Sequence, residues 1–584
     1  MNRRPALLFG VAALCSLVAA CSGSSAVTRT SSGALAPAAT TTPADPAGPQ
    51  FPLTDVPAVA DQVVTSTGDN WSLPPWTRPP ANSGFFSEAS DSSVGVDVHS
   101  VDLSWRQLAP HPVGPLDTTS SGSAQGMSFA SLDHQLARPG DFWMRVFASG
   151  TTWAPKWVER RCHVSAVGRD YDGQTHLPIW NPCVWHALMH TYRQLFVGQG
   201  LRADPRLRFV YVPGAFTWVE YDYDIINQAV HHGELTKRQY LRWYDQMLHD
   251  LVRLFGPYSD KLVFTGEDYP WGPFGTADDL LAAKAVAVGM GIRTGIPEES
   301  NFHLSEAPSY ASRIAGNGHM VVDDTAPIHD GTRVVATENE CFNDCGYHAK
   351  DPYYAVVQTN LKSLQLRANW IYVVPGPSFM ADYPQHWDWV RLELGQQPAT
   401  SPDAWAELRD AQDTFWNWPD PPFNQGGRRW PSRPWVRNLE RYLVQVDVPG
   451  GVAHRSNADI HRHELTRENG IAHEGLRTDV AHGQSGLYLQ LDPTFRQSLS
   501  GDVLVRVTWL DRGVGQWTMR SSAAPVDVAG SGSGHWVTST VRLPASALDG
   551  GLAAHTDLAL TVAGVHDLQV RFVRVVRLDP PTQQ

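Results

Sequence analysis

Three adjoining stretches decide the fold: Leu207-Arg208-Phe209-Val210-Tyr211-Val212, the run from Thr236 to Phe255, and Lys261-Leu262-Val263-Phe264-Thr265. The outer two are short, apolar and rich in β-branched and aromatic residues, as strands covered on both faces are. The middle run opens on a capping box, Thr236 with Gln239. Tyr240, Tyr244, Met247, Leu248, Leu251 and Phe255 recur at helical spacing along it, and Gly256-Pro257 ends it. A strand, a helix and a second buried strand make one parallel crossover unit.

The same alternation extends outward from residue 95 to about 415. Strands are predicted at 94–103, 142–147, 207–212, 261–265, 291–294, 320–323, 333–337 and 370–374. Helices between them start at Asn181-Pro182, at Thr276 with Asp279, and at Asp351-Pro352. Eight strands alternating with helices predict an α/β chain with a (β/α)8, TIM-type barrel. One connection conflicts with that count. The sixth and seventh candidates are separated only by Asp324 to Thr332, too few residues for a helical crossover. Either this link has no helix or one candidate is not a barrel strand.

Beyond the barrel the period changes. Residues 416–436 are rich in Pro and Trp and read as a connector. From 437 to 584 short runs of alternating or β-branched residues are parted by Gly, Ser and Asp turns, which predicts an antiparallel β-sandwich of jelly-roll type. The Gly530-Ser531-Gly532-Ser533-Gly534 run is a hairpin tip, since no helix follows to make it a phosphate loop.

The N-terminal end reads as a targeting segment. Arg3 and Arg4 precede an apolar run, Ala6 to Ala20, too short to span a membrane. Leu17-Val18-Ala19-Ala20-Cys21 resembles a bacterial lipobox, so 1–20 is expected to be a lipoprotein signal peptide and Cys21 the lipid attachment site. Residues 21–60 form a Ser/Thr/Ala/Pro-rich tether, and 61–415 is assigned to the barrel. The chain is thus expected to be exported and lipid-anchored at the outer face of the cell membrane, its only membrane contact being that anchor.

In 584 residues, 46 Lys and Arg stand against 59 Asp and Glu, a net charge of −13, so no basic excess exists to neutralise phosphates and no nucleic-acid partner is expected. Apart from Cys15 in the signal and Cys21, four cysteines remain, an even number in an oxidising compartment. Of three pairings, the local one is preferred: Cys162 with Cys183, and Cys341 with Cys345. Cys183, His186 and His190 are a weaker metal candidate, and no metal or cofactor is expected.

In such a barrel the chemistry lies at the strand C-terminal ends. The polar and aromatic residues expected there include Trp153, Trp157, Trp218, Glu220, Asp268, Trp271, Asp324 and Glu340, read as ligand contacts, together with Glu267 and Glu338. The chain holds 22 Trp, and their flat apolar faces suit sugar rings. Two carboxylates across one mouth suit glycosidic cleavage: one protonates the leaving oxygen, the other attacks the anomeric carbon or activates water. Glu267 and Glu338, after the fourth and seventh candidate strands, are the expected pair.

The opening Ser104-Trp105-Arg106-Gln107-Leu108-Ala109-Pro110, through Phe129-Ala130-Ser131-Leu132-Asp133, is similar to the start of β-galactosidase-like members of the clan A (β/α)8 glycoside hydrolases. The chain also resembles uncharacterised secreted bacterial barrel proteins of this type. The resemblance covers about residues 95–410. It implies an acid/base Glu at the end of strand four and a nucleophile Glu at the end of strand seven. Ala109 stands where that family has Glu, and Gly266 where it has Asn. Glu220 and Asp268 are therefore alternatives to Glu267, and Glu340 to Glu338. The expected function is hydrolysis of a poly- or oligosaccharide at the cell surface; the alternative is a non-catalytic carbohydrate-binding lipoprotein.

Overall fold

The computed structural model describes residues 53–88, 95–113, 126–266, 280–295, 304–339, 352–374, 379–409, 436, 438–454, 466–468, 471–513 and 515–581. Eight parallel strands form one sheet: β1 (Gly84–Phe86), β2 (His99–Ser104), β3 (Phe142–Phe147), β4 (Leu207–Tyr211), β5 (Leu262–Thr265), β6 (Gly291–Arg293), β7 (Val335–Asn339) and β8 (Trp370–Val373). Neighbours follow chain order from β2 to β8, and β8 pairs with β1. A parallel bridge from Phe86 to Val98, beside β2, nearly closes the barrel.

The expected α/β barrel is therefore present, with two changes in its strand count. β1 was not anticipated, because Gly84-Phe85-Phe86 is too short to show a period. Its backbone is set by Asp97, whose carboxylate accepts from the Phe85 N–H at 2.7 Å. A Cβ on Gly84 would lie 2.5 Å from that carboxylate, so only glycine fits. Conversely, Met320–Val322 is not a barrel strand. It pairs antiparallel with Ser312–Ile314 in a separate hairpin within the β6–β7 connection. That resolves the short 324–332 link: no crossover is needed there. Thr265 consequently ends the fifth strand rather than the fourth, while Glu338 lies on the seventh as expected.

Strand alternation lines the interior with rings. Phe86, Trp143, Phe209, Tyr211, Trp370 and Tyr372 meet one another at centroid distances such as 4.8 Å for Trp143–Tyr211 and 5.5 Å for Phe209–Trp370. The interior is thus a packed aromatic plug rather than a pore.

Towards the C-terminus two antiparallel sheets of seven and five strands share one core, in which Val503, Val505 and Val573 of one sheet meet Leu487, Leu489 and Leu560 of the other. The sandwich draws on chain outside 437–584: Val63–Thr67 pairs with Trp536–Pro544, and Asp403–Glu407 with Gln569–Arg577. Its outer face packs on the barrel. Trp71, Trp387, Trp389, Trp405, Leu504 and Phe572 form a continuous layer with the helices Pro352–Gln365 and Pro384–Glu393. Most of the tryptophan excess is consumed in these cores. Trp509, Trp517 and Trp536 are likewise buried and offer no exposed ring.

Cys162 and Cys183 form the expected disulfide, with Cα atoms 5.5 Å apart. Cys21, Cys341 and Cys345 lie outside the described residues. No helix among the described residues is long and apolar enough to cross a membrane.

Candidate active site

Above the aromatic plug, at the strand C-terminal ends, the interior turns charged. On β7 the alternation sends Thr337 and Asn339 outward, where they bond Ser363 and Asn360 of the helix behind, and Glu338 inward. Arg293, the last residue of β6, donates to Glu338 Oε2 at 2.6 Å and to Glu220 Oε1 at 2.7 Å. Its guanidinium lies 5.1 Å from the Tyr372 ring. Facing it, Arg145 of β3 pairs with Asp102 of β2 at 2.8 Å and with Glu88, just after β1. Arg145 also covers the Trp143 ring at 5.4 Å. Four carboxylates and two arginines thus lie in one layer over the plug.

Glu220 is carried by the loop after β4. Trp218 and Val219 both have left-handed backbones, with φ of 53° and 65°, a costly conformation for a β-branched residue. The turn is held by Glu220 N–H donating to Thr217 O at 2.7 Å and by Thr265 Oγ1 donating to Val219 O at 2.8 Å. Asp222 caps the next helix, accepting from the Asp224 N–H, and also accepts from Thr217. Beside this loop Ser149, His176 and Asp170 are linked at 3.0 and 2.9 Å. The order imitates a hydrolytic triad, but the serine is wholly buried, so the set clamps the rim loops instead.

Burial raises the Glu220 pKa; Arg293 opposes this, while Glu338 and Glu88 push it further up, and the net direction is upward. Its side chain retains 38% exposure to the mouth, so solvent can reach it. Glu338 is 8% exposed. For Arg293, burial works against the charge, but Glu220 and Glu338 outweigh it and raise the pKa. Burial likewise raises the Asp102 pKa against the opposing pull of Arg145. The arrangement holds two carboxyls on one cation, and burial inclines one of them, Glu220, to hold a proton, as acid–base chemistry needs of one partner.

The expected ligand residues divide clearly. Trp153 and Trp218 form the rim, 6.1 Å apart, and Trp218 is 39% exposed. Arg106 donates to the Thr151 and Ala154 carbonyls and so holds the Trp153 loop. Trp157 is buried, its N–H given to the Ala109 carbonyl; it presents no face to a ligand. Asp324 is also misplaced by the sequence reading. It follows the hairpin strand and pairs with Arg367 at 2.6 Å, and Arg367 precedes β8, at the opposite end from the mouth. Glu267, Asp268, Trp271 and Glu340 lie outside the described residues.

No family model matches the chain. None of the curated proteins compared matches it either. Among solved structures the chain is similar to the Arthrobacter globiformis T6 isomalto-dextranase complexed with panose. The two share 10% identity over 88% of this chain and 100% of that one, with a TM-score of 0.31.

Sequence reasoning missed Glu88 and Arg293 as parts of the site. Asp102, Arg145 and Arg293 each lie near the C-terminal end of a strand already indicated by the sequence, which is the signal for Arg293, whereas Glu88 follows the three-residue β1 and left none.

Proposed function

We propose that this chain is an exported, lipid-anchored glycoside hydrolase acting on a poly- or oligosaccharide, with Glu220 as acid/base and Glu338 as nucleophile or base. The observation that carries the reading is the convergence of the residue after β4 and the residue on β7 upon one guanidinium in the barrel mouth. The recount of the strands moves the strand-four role from Glu267 to its alternative, Glu220. Trp153 and Trp218 supply flat apolar faces at the rim where a sugar ring would stack. A binding protein without turnover is the second reading, and it also has an observation behind it: both carboxylates are already engaged by the Arg293 guanidinium.

Kinetics on a panel of envelope and extracellular glycans decide between them. Glu220→Gln and Glu338→Gln should each lower kcat about a thousandfold, with the melting temperature kept. The wild-type rate should fall as pH rises through the elevated Glu220 pKa, because the acid must carry its proton. Glu267→Gln should retain most turnover. If Glu267→Gln loses activity and Glu220→Gln does not, the acid role returns to Glu267. Binding without cleavage by the wild type establishes the second reading. For the anchor, the wild type should partition into detergent and Cys21→Ser should not.

A further inference from the structure

A second site lies on the outside of the barrel. The helices Pro182–Tyr192 and Lys237–Phe255 and the segment 163–181 enclose a cleft of about 910 Å3 that is open to solvent. The Cys162–Cys183 disulfide closes this segment into a loop by tying its start to the first turn of the helix Pro182–Tyr192 that follows it. None of the mouth residues Glu220, Arg293 or Glu338 lines the cleft.

Its floor is aromatic. Trp185 and Trp243 meet edge to face at 5.6 Å, and Trp180 stands partly exposed at the side. The Trp185 N–H is satisfied by Asp250 at 2.9 Å. The Trp243 N–H, in a side chain more than nine-tenths buried, has no partner. The rim is polar. Gln239 accepts from the Thr236 N–H through its carbonyl oxygen, leaving the amide nitrogen as a donor, and Gln246 lies exposed nearby. Charge is balanced: Asp245 is paired with Lys284 at 3.3 Å, and Glu234 offsets Arg242.

Those features select among ligands. A balanced rim gives no field for a polyanion or polycation. The partly exposed Trp180 ring beside the Gln239 and Gln246 amides fits a molecule with apolar faces and hydroxyl edges. The volume is at the upper end of the range typical of small-ligand sites, enough for several linked sugar units. We infer that this cleft binds a neutral oligosaccharide, as a site separate from the barrel mouth and independent of whether the mouth is catalytic.

The test uses the full chain carrying Glu338→Gln, so that probes are not consumed. It is titrated calorimetrically with neutral gluco-, manno- and galacto-hexasaccharides in α and β linkage, and with dextran sulfate as an anionic control. At least one neutral hexasaccharide should bind and the sulfate should not. Trp180→Ala should weaken that binding about tenfold, the size of a lost aromatic contact. The exposed Gln246→Ala should weaken it severalfold. Melting curves identify any variant that fails to fold; Gln246→Ala, at the surface, remains informative if Trp180→Ala does not fold. The inference is overturned if no neutral hexasaccharide binds, if the sulfate binds better, or if folded Gln246→Ala and Trp180→Ala both bind as tightly as the parent. Glycan cleavage by the wild type without cleft-dependent binding would leave the hydrolase proposal standing and end this one; the converse result would do the opposite.

Discussion

Arg293 is the residue on which the mouth depends. It is almost wholly buried and joins the carboxyl groups of β7 and of the β4 loop, so removing it leaves both without their cation. Breaking a buried ion pair by deleting one partner costs about 3–5 kcal/mol; solvent access at Glu220 places this site near the lower figure. Arg293→Met should therefore lower stability by about 3 kcal/mol in urea unfolding. Arg293→Lys tests geometry apart from charge. A single ammonium cannot span both glutamates as a planar fork does, so it should recover part of the stability while leaving turnover low. Equal stability of Arg293→Met and wild type would show that the pairing contributes nothing.

Among the elements, the segment between Cys162 and Cys183 shows how a local constraint shapes two regions together. His176 and Asp170 of this insertion meet Ser149 behind the mouth, while Trp180 lines the outer cleft. The crosslink encloses 20 intervening residues, and chain-entropy reasoning values such a loop at roughly 3 kcal/mol. Cys162→Ser with Cys183→Ser should lose about that much in denaturant unfolding, and wild type with reductant should match the double variant. A loss below about 1 kcal/mol would mean that packing of the insertion, not the bond, holds it in place. The β6–β7 connection is the other instructive element. Its hairpin strand Met320–Val322 is apolar because it packs beside the barrel, so composition alone does not tell it from a strand within the barrel.

At the scale of the whole molecule, barrel and sandwich share a buried layer in which charges accompany the tryptophans. Arg574 bonds Asp403 at 2.7 Å, Arg571 pairs with Asp69 at 3.1 Å, and Arg441 with Glu393 at 3.1 Å. Two histidines in this layer make it acid-sensitive. Burial lowers the His473 pKa to about 3, helped by Arg571, with Asp69 opposing. Burial also lowers His386 to about 3 against Asp69, with Arg571 and Arg574 adding to the effect. The unfolded chain therefore takes up these protons first as pH falls from about 6.5. Their contribution to stability is complete above that value and is lost progressively down to about pH 3, by about 1.4 kcal/mol per pH unit for each histidine. Thermal melts from pH 7 to pH 4 should show a steady decline, and His473→Gln should flatten it. An unchanged slope in that variant would locate the sensitivity elsewhere.

By itself the sequence determined the architecture, because burial on both faces of a strand and on one face of a helix writes itself into residue spacing. It also placed Glu338 and one disulfide, both local consequences of an inward strand position and of a short loop. The strand numbering came only from the tertiary structure. β1 is three residues long and owes its place to Asp97 and to the neighbouring β8, neither of which is near enough in the chain to leave a pattern. The grouping of Glu88, Asp102, Arg145, Glu220 and Arg293 with Glu338 likewise arose from closure of the barrel, which brings the ends of six strands to one mouth across about 250 residues of chain. The fate of the tryptophans was decided in the same way: a ring's face is free or buried according to what the sandwich covers, and that contact joins parts of the chain that no sequence window contains.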